Sequence, residues 1–151
     1  MDLKEQYEKL LKYCYMKMKD RNLAEDIVQE TFLRFWQSKS YRDTGKEMAY
    51  LYTIARNLCM DEYRKPKTEE PEQWEEIPDT VSVGPEERIE QIVLEEALDR
   101  LPEELREIVM LRYTNEMQVV DIAGIMGISR FAVHRKIKEG LSRLREWLKE
   151  E

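Results

Sequence analysis

Residues Val119–Lys138, VVDIAGIMGISRFAVHRKIK, decide how the rest of the chain is read. Ile122, Ala123 and Met126 fall at helical spacing, and Gly127 then interrupts them. Glycine accepts a left-handed turn without a Cβ clash, so a first helix is expected to end there. Ser129 follows as an N-cap, its hydroxyl placed for the free amides of the next helix. That helix carries an apolar stripe of Val133, Ile137, Leu141, Leu144 and Leu148. Phe131, His134, Arg135 and Lys138 stand at i, i+3, i+4 and i+7, on a different face. A short helix, a glycine turn and a second helix with an exposed basic-aromatic face read as a helix-turn-helix, whose second helix enters a DNA major groove. The small Ala123 suits a close helix crossing over a short turn. An ordinary helical hairpin with a solvated basic face gives the same local pattern, so the rest of the chain has to decide.

With 151 residues the chain has room for one domain or two small ones. Apolar residues make up 42%, enough for modest cores, and glycine and proline together number only ten. Scarce turn residues beside abundant Leu, Glu, Lys and Met predict an all-α protein. No apolar run approaches the roughly 20 residues of a membrane span. The first residues, MDLKEQYEKLL, are charged and amphipathic, unlike a secretory signal. Cys14 and Cys59 lack CxxC spacing and read as small buried hydrophobes in a reducing, cytoplasmic setting. A single histidine excludes most metal-site patterns, so no metal or cofactor is expected.

The net charge of −7 is unevenly spread. Residues 1–65 carry +2, residues 66–118 carry −11 and residues 119–151 carry +2. Neither end is basic enough for strong independent binding to a phosphate backbone. That distribution predicts a protein that meets DNA only with help.

Residues 3–19 read as a first helix, with Leu3, Tyr7, Leu10, Leu11, Cys14 and Met18 recurring at three- and four-residue spacing. A second, 23–37, has Ala24, Ile27, Val28, Thr31 and Phe35 as its core stripe. Phe32, Leu33 and Trp36 lie outside that stripe, beside Asp26, Gln29 and Glu30. An amphipathic helix needs only one apolar face, so a second patch rimmed by carboxylates suggests docking. The alternative is that Trp36 caps a small core. A polar loop, Ser38–Gly45, leads to a third helix over 46–65, with Leu51, Ile54, Ala55, Leu58 and Cys59 inward. Tyr50, Arg56, Asn57, Asp61 and Arg64 remain outside its stripe, with Tyr41 and Arg42 in the loop. Rings, guanidinium groups and an amide near a loop suit unstacked single-stranded bases, although each residue alone also reads as ordinary surface.

Residues 66–84, PKTEEPEQWEEIPDTVSVG, hold three prolines and six acids without a sustained period, and read as a flexible acidic linker. Trp74 is its one large apolar group. Pro85 opens a helix to about Arg100, and Leu101-Pro102 turns the chain into LPEELREIVMLRY, with Leu105, Ile108, Val109 and Leu111 inward. No catalytic triad, metal cluster or phosphate-binding glycine loop is present, so no enzyme is expected.

AEDIVQETFLRFW followed by YLYTIARNLCMDEYRK resembles region 2 of the sigma-70 family, in its small extracytoplasmic-function type. LPEELREIVMLRY through IAGIMGISRFAVHRKIKEGLSRLRE resembles region 4 of the same family, and the two blocks stand in the family's order. The resemblance implies two small helical domains, residues 1–65 and 85–151, joined by the linker 66–84. It also implies an RNA polymerase initiation subunit that directs core polymerase to promoters and helps melt them. Asp26, Gln29 and Glu30 match the family's DxxQE motif and would contact the clamp coiled coil, with Phe32, Leu33 and Trp36 adding apolar area. Asn57 and the loop before Lys46 match the part that receives a flipped −10 base, with Tyr41, Tyr50, Arg56, Asp61 and Arg64 around it. Ser129, Arg130, Phe131, His134, Arg135 and Lys138 match the helix that reads the −35 element. The implied partners are core RNA polymerase through its clamp and flap, promoter DNA and an anti-sigma factor, and the linker would thread the polymerase's positive channels.

Tyr50 stands where the family usually has Trp, and SRFAVHRK replaces the common S-x-G-T-V-K-S-R. Phe131 therefore has two readings: a thymine methyl contact, or packing on the preceding helix. His134 is either a base reader or a structural histidine. A rival from another class is a stand-alone helix-turn-helix regulator with residues 1–65 as a dimerisation or sensing module. A third is a helical scaffold that binds no DNA.

Overall fold

The computed structural model describes residues 2–38, 45–65 and 94–149. Tyr41 and Arg42, the acidic linker with Trp74 and the expected helix start at Pro85 lie outside the described residues. All regular structure among the described residues is helical. The order is α1 (Leu3–Met18), α2 (Arg21–Gln37), α3 (Glu47–Arg64), α4 with described residues 94–99, α5 (Glu103–Tyr113), α6 (Val119–Met126) and α7 (Arg130–Lys149).

Helix ends follow side-chain chemistry. Asp2 and Asp20 cap α1 and α2, accepting from the amides of Glu5 and Leu23 at 2.9 and 3.1 Å. Lys19 closes α1 in the left-handed region, its N–H donating to Tyr15 O. Asp20 therefore begins a new helix at Arg21, two residues before the expected start at 23.

The first three helices form one bundle, with Leu10, Cys14, Ala24, Val28, Leu51, Ala55 and Cys59 fully buried. Cys14 and Cys59, far apart in sequence, meet there and share a hydrogen bond, which with burial pushes the Cys14 thiol far up. Leu3 falls outside the expected stripe at 54% exposure, because it lies in the first turn of α1, beyond the bundle. Met16 of α1 is covered instead by Ala97, Leu98, Leu101, Leu105 and Val109. The apolar core then runs on without a break from α1–α3 into Ile108, Leu111, Ile122, Val133 and Ile137. The two halves are thus packed on one another, α3 lying against α6.

Candidate nucleic-acid interface

Gly127 ends α6 at φ 70°, and the N–H groups of Gly127 and Ile128 both donate to Ala123 O, at 2.9 and 3.1 Å. Ser129 Oγ accepts from the Ala132 amide at 3.1 Å and starts α7. Glycine turn and serine cap stand where the sequence placed them. The inner stripe of α7 is buried at Val133, Ile137 and Leu144, and half-buried at Leu141. Leu148 is 44% exposed, contrary to expectation; Trp147 packs in its place, with the Arg100 guanidinium 5.9 Å from its ring centre. Past Leu144 the inward direction has rotated by one residue, from the expected Leu148 to Trp147.

The outward face of α7 carries Ser129, Arg130, Phe131, His134, Arg135 and Lys138, all exposed. Phe131 is 87% exposed, so it does not pack on the preceding helix. Lys136 is drawn aside, its ammonium 2.6 Å from Glu104. Arg130, Arg135 and Lys138 keep no ion pair among the described residues and remain available to an anionic ligand.

On α2, Asp26, Gln29, Glu30, Leu33 and Trp36 share a solvent-facing surface, with Trp36 62% exposed. Arg34 pairs with Glu30 at 3.1 Å along it. Phe32 departs from the sequence reading: it is only 5% exposed. Its ring stacks on Tyr7 at 6.4 Å and leans on Trp36 at 5.5 Å. The buried arc of α2 widens to include it because α1 lies over that side of the helix. Phe32 thus supports Trp36 from below, and does not present its own face to a partner.

The group expected near a −10 strand is divided. Asn57, Asp61 and Arg64 share an exposed face of α3 at i, i+4 and i+7, with Arg64 3.7 Å from Asp61. Tyr50 is half-buried, its phenol 2.9 Å from Ser38 Oγ and its ring edge-on to Phe35. Arg56 is turned away from the others, its Nε donating to Glu107 Oε2 of α5 at 2.8 Å.

Glu107 was not legible as a functional residue, yet it is only 2% exposed and joins the two halves. Tyr13 Oη donates to its Oε2 at 2.5 Å, and Lys17 Nζ donates to its Oε1 at 2.8 Å. Burial, then the Glu107 charge, pushes the Tyr13 phenol well up, so it stays a donor. Asn115 adds a second polar bridge, donating to Tyr52 Oη at 2.5 Å and to Lys9 O at 3.2 Å. Lys46 reaches Asp121 at 2.8 Å, and a cleft of about 550 Å³ lies beside Arg56, Met60, Tyr63 and Arg64 of α3 and Met126 and Ile128 opposite. The sequence signal for this junction was faint: Tyr13, Met16 and Lys17 stand at i, i+3 and i+4, a second face on α1.

Residues 3–68 match the family described as Sigma-70 region 2, and residues 97–146 match Sigma-70, region 4. The ECF RNA polymerase sigma factor SigL of Mycobacterium tuberculosis is 31% identical over 153 residues, 93% of this chain and 83% of that protein. This chain belongs to the sigma-70 family. Another ECF relative, SigM of Bacillus subtilis, is 32% identical across 87% of this chain and 80% of its own length. A sigma-70 fold is also seen in the solved structure of the sigma factor RpoE in complex with the anti-sigma factor NepR from Bartonella quintana. That chain superposes with a TM-score of 0.74 at 22% identity, covering 95% of this chain and 92% of its own. No described helix is long and apolar enough to cross a membrane.

Proposed function

We propose that this chain is an initiation subunit that directs core RNA polymerase to specific promoters and assists their melting, with no catalysis of its own. The observation that carries this reading is the outward face of α7, where Arg130, Phe131, His134, Arg135 and Lys138 stand exposed on a closed helix-turn-helix. In this reading residues 85–151 take the −35 element and residues 1–65 take the polymerase clamp and the −10 strand. The acidic stretch 66–84 bridges them, and an anti-sigma factor controls the subunit in the cytoplasm.

Family membership and the second surface on α2 both support it. Asp26, Gln29 and Glu30 with Leu33 and Trp36 offer carboxylates around an apolar centre, the anatomy of a protein-docking patch. A stand-alone regulator would use α7 but leave this patch idle.

The test is promoter binding with and without core polymerase. Because each end carries only +2 around a −11 middle, the free chain should bind promoter DNA weakly near physiological salt. Core polymerase should create specific binding, and Asp26→Lys with Glu30→Lys should abolish that gain while leaving the helical circular dichroism intact. Tight operator binding by the free chain, unchanged by core, would favour the regulator.

A further inference from the structure

Three donors from two helices of the region 2 half converge on one carboxylate of the other half. Tyr13 and Lys17 come from α1, Arg56 comes from α3, and Glu107 stands on α5. The side chains of Lys17 and Glu107 are 4% and 3% exposed, so this carboxylate is enclosed, unlike an ordinary surface ion pair. One turn along α1, Met16 is buried in one cluster with Ala97, Leu98, Leu101, Leu105 and Val109 of the region 4 half, so the two halves are in apolar contact beside this carboxylate. A carboxylate and a phosphate diester offer the same charge and similar acceptor oxygens, and an arginine fork binds either.

We infer that Tyr13, Lys17 and Arg56 form an anion seat, filled by Glu107 when the chain is folded back on itself and by a promoter phosphate when the halves part. Glu107 is then an internal competitor of DNA. The inference rests on the promoter-recognition reading above. Arg56 cannot serve both ligands at once, so closure withdraws it from the Asn57, Asp61 and Arg64 face. Two states that bind the same group exclusively are linked: whatever holds the open form raises DNA affinity by the same factor that it weakens closure. Removing Glu107 leaves the buried Lys17 with only the more distant, exposed Glu103 at 3.6 Å, and takes the carboxylate partner from the part-buried Arg56, which favours the open form where water reaches them.

The experiment uses the full chain, small-angle scattering and a labelled oligo-dT as the phosphate probe. A compact chain of this length has a radius of gyration of about 15 Å. Glu107→Ala should raise it by several ångström and tighten oligo-dT binding about tenfold at fixed salt. The dependence on salt should also steepen. Lys17→Ala added to Glu107→Ala should return part of that gain. Unchanged radius and affinity in folded Glu107→Ala would overturn the inference.

Should Glu107→Ala lose its helical signal, Lys46→Cys with Asp121→Cys tests the same point in a chain that keeps Glu107. A bismaleimide with a reducible spacer should lock the halves together across that ion pair. The locked chain should lose oligo-dT binding and recover it on reduction, whereas equal binding in both forms would overturn the seat. Wild-type holoenzyme on a promoter separates the two readings. A competent holoenzyme beside an unaltered Glu107→Ala chain strikes the seat alone. A holoenzyme that ignores promoters strikes the functional reading, while opening on loss of Glu107 would still support the closure.

Discussion

Arg135 and Lys138 sit three residues apart on the exposed face of α7, and their chemistry separates them. An arginine can give two donors to guanine O6 and N7, a contact worth about 1–3 kcal/mol of discrimination. A lysine ammonium is a point charge better suited to phosphate, which adds affinity and little sequence preference. Arg135→Ala should therefore relax preference at one or two upstream base pairs, and Lys138→Ala should weaken all promoters alike and flatten the salt dependence. Transcription from a promoter library randomised across the upstream element, with reconstituted holoenzyme, reads the difference. An equal loss on every promoter for Arg135→Ala would make Arg135 a backbone contact. Residues of this kind were legible because a helix period alone puts 131, 134, 135 and 138 on one side. The burial of Phe32 and the contact of Arg56 with Glu107 were not legible, because the period places a residue on a face and says nothing of what covers that face.

Between α5 and α7 the decisive feature is a missing side chain. A Cβ built on Gly140 would lie 2.7 Å from Val109 Cγ2, and Val109 is itself only 5% exposed. Alanine in place of glycine in a helix interior would by itself stabilise by about 1 kcal/mol. Overpacking against a stiff β-branched neighbour costs about 1–3 kcal/mol, so the clash should win. Gly140→Ala should lower stability by about 1 kcal/mol in chemical denaturation, the difference between these two effects. In a Val109→Ala background the same change should become stabilising, the sign reversal expected of directly contacting residues. Stabilisation by Gly140→Ala in the wild-type background would show that the crossing can widen. At this scale the sequence was a good guide: apolar spacing, Gly127 and Ser129 bounded α6 and α7 correctly. The second face of α1 was less visible, because the spacing of Tyr13 and Lys17 names no partner until Glu107 is placed against them.

For the whole molecule, alkaline pH tests whether the two halves hold their tyrosines as a unit. Tyr13 and Tyr52, both fully buried, are pushed up from 10.0, and in each case burial is the largest cause. Their phenols stay protonated in the folded chain at a pH where the unfolded chain has already lost those protons. The unfolded state then binds fewer protons, so stability is fully present below pH 10 and falls as pH rises through the folded values. Phenolate absorbance of the eight tyrosines should therefore lag behind that of the denatured chain and be completed only as helical circular dichroism is lost. All eight ionising together with the helices intact would contradict the burial at the junction.

Helix content, the helix-turn-helix and the division of charge were determined by sequence alone, because each depends on spacing, capping or composition within a short stretch. Periodicity, Gly127 and Ser129 act over a few residues and need no distant partner. The burial of Phe32, the diversion of Arg56 and the role of Glu107 were decided only by tertiary structure. Glu107 is 94 residues from Tyr13 along the chain and 2.5 Å from its hydroxyl in space. A charged residue inside the apolar pattern of α5 is tolerated only where donors converge on it, and those donors come from the opposite half of the molecule.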